Sequence, residues 1–178
     1  MKIGLVRHFR VKKEYPTQLV TPSEVTKWLD EYEFTDIDPA PADLGGIDWG
    51  HCYASDLPRA AQTAEIIYDG PITKLAGLRE VRPNPVTTRN IKLPFMMWGL
   101  LVRVAWLLNH KSQPELRTEI EARLAGVLDH IIEQGDEDVL IVSHAACMMF
   151  MQKELRKRGF SGPKLGTPQN GKLYVFER

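Results

Sequence analysis

The sequence predicts an α/β fold, a three-layer sandwich with a mostly parallel central sheet covered by helices on both faces. Three observations predict it. Strand-like and helix-like segments alternate along the chain. Two of the strand segments, Lys2–Val6 and Asp138–Val142, are near-continuous apolar runs, the pattern of strands covered on both sides. Leu116, Ile120, Leu124, Val127, Leu128 and Ile131 recur at helical spacing and supply a long one-faced helix.

Taken in order, Lys2–Val6 is the first strand. Thr21-Pro22-Ser23-Glu24 then starts a helix: Thr21 is the N-cap, Pro22 takes the first helical position, and Glu24 completes a capping box. That helix is expected to run to about Tyr32 with Val25, Trp28 and Leu29 on its apolar face. Residues Asp38–Gly50, rich in Pro, Gly and Asp, read as loop. Cys52–Ala54 is a second strand, Leu57–Tyr68 a helix, and Ile72–Leu75 a third strand. After the long helix and the Asp138–Val142 strand, another helix begins near Ala145, and Leu173–Phe176 closes the chain as a strand. The apolar run Phe95–Leu108 is broken by Arg103 and falls short of a membrane span. It is expected to be a buried or interface helix.

With 178 residues and no repeat, low-complexity tract or flexible linker, the chain reads as one domain, 1–178. Lys plus Arg and Asp plus Glu both number 23, so net charge gives no argument for nucleic acid or a membrane as partner. Cys52 and Cys147 lack redox or zinc spacing and read as buried thiols in a reducing compartment. The N-terminal apolar stretch ends at Arg7, too soon for a signal peptide, and a cytoplasmic location is expected.

In parallel sheets ligands bind beyond the carboxyl ends of the strands. Those ends carry Arg7-His8, then Ser55 with Arg59 one helical turn on, then Ser143-His144. Taken singly, Arg59 is a solvated helix charge and His144 a satisfied buried histidine. Together they form a local cationic pocket in a neutral protein. Guanidinium forks match phosphate oxygens. A neutral histidine can attack phosphorus if its other ring nitrogen is held, and neighbouring arginines favour the neutral ring. A carboxylic acid must then protonate the leaving oxygen.

Leu5-Val6-Arg7-His8 resembles the Leu-x-Arg-His-Gly signature of the histidine phosphatase superfamily, the phosphoglycerate mutase-like proteins. Ser55-Asp56-Leu57-Pro58-Arg59-Ala60-Ala61-Gln62-Thr63-Ala64 is similar to that family's Ser-x-Leu-x-Arg-Ala-x-Gln-Thr-Ala segment, and Val142-Ser143-His144-Ala145 to its Val-Ser-His-Gly. Leu78-Arg79-Glu80 falls where the family places Leu-x-Glu. The resemblance implies that His8 accepts the phosphoryl group. Arg7, Arg59 and His144 would bind its oxygens, and Glu80 would donate the proton and later activate water. Asp56 and Glu65 are competing carboxylates for that last role. The resemblance also makes residues 82–111 a cap insertion over the pocket. Its apolar residues, Met96, Met97, Trp98 and Trp106 among them, would line the substrate site, form a homodimer contact, or pack as ordinary core.

Phe9 stands where the family has Gly, and is expected to wall or narrow the pocket and so shape substrate choice. Arg10, Lys12 and Lys13 replace the usual Glu-Thr continuation and read as a solvated loop, with an extended positive field as the alternative. The functional expectation is a metal-independent hydrolase of a small phosphorylated metabolite that needs no cofactor. Mutase-type phosphoryl transfer needs further basic contacts, and the loop after His8 does not match it. A non-catalytic phospho-ligand binder is the reading from another class. No dinucleotide or P-loop glycine pattern is present.

Overall fold

The computed structural model describes residues 1–178. The elements in chain order are β1 (Lys2–Arg7), β2 (Arg10–Val11), β3 (Leu19–Val20), α1 (Pro22–Phe34), β4 (Ile37–Asp38), β5 (His51–Ser55), α2 (Pro58–Ile67), β6 (Ile72–Leu75), β7 (Leu93–Pro94), α3 (Phe95–Leu107), α4 (Arg117–Glu133), β8 (Val139–Ser143), α5 (Ala145–Lys157) and β9 (Leu173–Glu177). The main sheet runs β6-β5-β8-β1-β9. Its pairs are parallel, except that β9 lies antiparallel to β1 at one edge. The α/β architecture with a mostly parallel sheet is therefore as the sequence predicts. The four two-residue strands are additions, too short to leave a periodic signal.

Alternation along the strands explains the continuous apolar runs. Ile3, Leu5, Val139 and Ile141 face one core with Ile120, Leu124, Leu128 and Ile131 of α4 and Met148, Met151 and Leu155 of α5. Val6, Leu140 and Val142 face the other with Ala60 and Ala64 of α2. Trp49, from the loop before β5, completes that second layer.

Helix α1 starts as its sequence dictates. The Thr21 hydroxyl accepts from the Glu24 amide at 3.3 Å, and the Glu24 carboxylate accepts from the Thr21 amide at 2.7 Å. Helix α3, expected as a buried or interface helix, is buried on one face only. Trp98, Val102 and Ala105 are buried, and the Trp98 indole N–H donates to the Val20 carbonyl. The opposite face leaves Met96, Leu100, Leu107 and Leu108 exposed, Met96 at 77% and Leu108 at 74%. Apolarity all round the helix hid this one-sided packing. Trp98 joins Val20 and Val25 in a small separate core linking α3 to α1.

Phe9 corrects its expectation. The side chain is 1% exposed and packs with Val11 and Ile37, not in a pocket wall. Its ring lies against Gly171, where an added Cβ would come within 2.8 Å of it. Gly171 has φ +68°, a left-handed value, and its amide donates to the Arg7 carbonyl at 2.8 Å. Gly171→Ala should therefore lower stability by about 1–3 kcal/mol through strain and overpacking. Denaturant unfolding checks this, and an unchanged midpoint would refute the tight fit.

Candidate active site

The parallel strands deliver the singled-out residues to one edge. Arg7 ends β1 and His8 follows it, Ser55 ends β5, His144 follows β8 and caps α5, and Glu80 follows β6 after a 3-10 turn, Ala76–Leu78. Arg59 sits in the first turn of α2. The His8 and His144 rings lie 5.1 Å apart between centroids.

His8 is 3% exposed, and its Nδ1 lies 2.6 Å from the Phe9 carbonyl. A carbonyl can only accept, so Nδ1 carries the hydrogen and Nε2 keeps its lone pair. Burial, then the charge of Arg59, pull the His8 pKa down to about 3, with a smaller push from Arg7 and the Phe9 contact opposing. Two further contacts clamp the backbone here. Phe9 N–H donates to Thr63 Oγ1 at 2.9 Å, and the Asn170 side-chain amide donates to the His8 carbonyl at 2.6 Å.

His144 is buried, and burial followed by Arg59 holds its pKa well below the ordinary value. Its Nε2 lies 2.9 Å from Ser55 Oγ, which also accepts from the Leu57 amide at 3.3 Å. In the tautomer where the serine hydroxyl donates to Nε2, the imidazole hydrogen rests on Nδ1. That nitrogen has no protein partner.

The unpaired groups decide what this edge can hold. Arg7 Nε, Arg59 Nε and Nη1, and His144 Nδ1 are buried without a hydrogen-bond partner, and Trp106 Nε1 is the one other such side-chain atom. Buried donors left unmade cost about 1–3 kcal/mol each, and more when charged. Arg7 uses Nη1 on the Pro168 carbonyl at 2.9 Å, and Arg59 lies over the Tyr32 ring, 5.4 Å from its centroid. Donors clustered beside a neutral histidine suit a tetrahedral oxyanion.

Glu80 is distinguished from its competitors. Asp56 is bound by Arg79 through two contacts of 2.7 and 2.6 Å, and Glu65 pairs with Lys74 at 2.8 Å. The Glu80 carboxyl instead accepts from the Val81 and Ala146 amides at 3.1 and 3.4 Å. Burial raises its pKa, against the opposing pull of those amides, Arg59 and Arg7. No group of three or more His, Cys, Asp or Glu side chains is placed to hold a metal ion. Cys52 and Cys147 are buried free thiols, and burial pushes the Cys52 pKa up to about 12.

A cavity of about 340 Å³ reaches the cluster at Arg59 and Glu80. Its walls come from α3, through Phe95, Trp98 and Trp106, and from Tyr15, Trp28 and Tyr32, which the sequence reading did not place there. Trp28 was legible as an apolar face of α1, but not what that face would meet. A second cavity of about 560 Å³ shares Glu80, Arg103, Trp106 and Ala146 with the first. Met96 and Met97 line neither, and nor do Arg10 and Lys13. Lys13 pairs with Glu31 at 2.7 Å.

A family model for the histidine phosphatase superfamily (branch 1) matches residues 5–178. The chain belongs to this superfamily. Among solved structures, this histidine phosphatase is similar in fold to the α-ribazole phosphatase of Shigella flexneri, with 16% identity and a TM-score of 0.59 over 98% of this chain and 89% of the other. It is likewise similar to a phosphoserine phosphatase mutant from Entamoeba histolytica solved with phosphoserine, at 18% identity and TM-score 0.54 over 99% and 90% of the two chains. A phosphoglycerate mutase from Bacillus anthracis matches at 17% identity and TM-score 0.57 over 99% and 91%. No curated protein sequence matches this histidine phosphatase. No helix is long and apolar enough to cross a membrane.

Proposed function

We propose that the protein hydrolyses a small phosphate monoester through a phosphohistidine at His8. The observation that carries this reading is the set of unpaired buried donors on Arg7, Arg59 and His144 around a neutral, oriented imidazole. Membership of the histidine phosphatase superfamily supports it.

The donors take the phosphoryl oxygens and stabilise their charge in the transition state. The lone pair of His8 Nε2 forms the P–N bond in line as the ester P–O bond breaks. Glu80, whose pKa burial raises, gives its proton to the departing oxygen. The resulting Glu80 carboxylate then takes a proton from water. That water attacks phosphorus, the P–N bond breaks, and inorganic phosphate and neutral His8 are released.

A mutase would have to retain and turn a doubly charged intermediate. Of the cations lining the 340 Å³ cavity, Arg82 is committed to Asp30 and Glu33, which leaves Arg59 and Arg103. Within that cavity few cations remain to hold a second phosphate, which favours release of phosphate to water. A purely phospho-binding role would not need a buried acid at the cavity that meets Arg59. We expect 4-nitrophenyl phosphate to be hydrolysed at an unchanged rate in excess EDTA. A rate abolished by the chelator and restored by a divalent ion would overturn the metal-independent reading.

A further inference from the structure

We propose that the ester's leaving group carries a flat heteroaromatic ring, seated between α1 and α3 with an acceptor atom bonded to Trp106 Nε1. The inference rests on the phosphatase reading for the placement of the phosphoryl group, and on the cavity for the rest.

Of the two cavities that Glu80 lines, the 340 Å³ one also meets Arg59, so a group leaving from phosphorus toward Glu80 is placed there. Its far walls are aromatic. Trp28 stacks on Tyr15 and Tyr32 at centroid distances of 5.2 and 5.1 Å and meets Phe95 edge-on at 4.7 Å. These four rings form one continuous surface, and a further ring inserted against it gains offset-stacking and edge contacts that an alkyl chain does not. Against the rings themselves a polyhydroxylated leaving group would lose water without gaining polar partners.

One lining residue carries a buried N–H with no partner. Trp106 Nε1 is buried, has no partner, and belongs to a residue lining both cavities. An indole N–H can only donate, so it calls for an acceptor on the ligand. Arg103, on the same helix, lines both cavities and is in no ion pair, so an electron-rich heteroatom also suits the site's charge. A heteroaromatic ring satisfies the stacking surface and the N–H together; a plain hydrocarbon ring satisfies only the first.

The test uses four esters of primary alcohols, so that leaving-group basicity is nearly constant: 2-quinolinylethyl, 2-naphthylethyl, n-hexyl and glycerol 3-phosphates. Binding of the matching non-hydrolysable phosphonates to wild-type protein is measured by titration calorimetry, and turnover by phosphate release. Naphthylethyl should exceed hexyl by about 3- to 10-fold. Quinolinylethyl should exceed naphthylethyl by about 3- to 10-fold for the added hydrogen bond. Trp106→Phe should remove the second preference and keep the first, while Phe95→Leu should narrow the first, lowering the naphthylethyl-to-hexyl ratio. Hexyl or glycerol analogues binding as well as the aromatic ones would overturn the proposal. So would equal losses on all four in Trp106→Phe. Ranked binding with no phosphate release from any ester would instead overturn the phosphatase reading and leave the ligand class standing.

Discussion

His8→Ala should lower kcat by about 10⁴-fold or more, because it removes the atom that bonds phosphorus. The protein should remain folded. The imidazole is neutral, and its own hydrogen bond is to the carbonyl of the next residue, so no distant element depends on it. The unpaired donors of Arg7, Arg59 and His144 stay in place, so inorganic phosphate should still raise the melting temperature. Brief exposure to a labelled phosphate ester, followed by alkaline quenching, should leave acid-labile label on wild-type His8 and none on the variant. Residual activity within tenfold of wild type would place the nucleophile elsewhere. The pH profile adds a second check. With the His8 pKa held to about 3, the nucleophile is already neutral well below the ordinary histidine range. No acid limb near pH 6.5 should therefore come from this residue.

Glu80→Gln carries the other large effect, and its size depends on the substrate. With an alkyl phosphate the departing alkoxide is strongly basic, and loss of its proton donor should cost about 10²–10⁴-fold in kcat/KM. With 4-nitrophenyl phosphate the leaving oxygen needs little protonation, so formation of the phosphoenzyme should be far less affected. The raised pKa of Glu80 keeps the acid form populated to higher pH than a solvated glutamate would allow. Wild-type kcat/KM for alkyl esters should fall as pH rises through that value, and this limb should vanish in Glu80→Gln.

On stability Glu80→Gln should act in the opposite direction to its effect on activity. A folded pKa above the unfolded one means that the contribution of Glu80 is fully present below the unfolded value. It is lost as pH rises through the folded value. Glu80→Gln, with no charge to bury, should therefore resist denaturation better than wild type at alkaline pH and match it more closely in acid. An unchanged alkaline limb together with full activity on alkyl esters would assign the proton to another group.

Much of this molecule is legible from periodicity and local chemistry. The apolar alternation of Lys2–Val6 and Val139–Val142 determines that both strands are covered on both faces, since side chains alternate at each residue whatever the loops do. Parallel strands then place the residues after them at a common edge, so Arg7, His8, Ser55 and His144 can be grouped before any coordinate is known. The capping box of α1 is read directly because it spans four neighbouring residues.

What only the tertiary structure decided involves contacts between residues far apart or side chains just past a strand end. Phe9 could turn toward the pocket or into the core, and the fit of its ring against Gly171 and Val11 settled the direction. The clamp from Asn170 and Gly171 onto the Arg7-His8 backbone bridges more than 160 positions and leaves no periodic trace. The aromatic wall formed when α3 packed on α1, tied by Trp98 to Val20 across 78 positions. Hydrophobic patterning records which residues leave water, but being non-directional it does not record which neighbours they meet. The residues of the cationic edge were thus legible locally, whereas the shape of the adjoining aromatic cavity waited on the packing of two distant helices.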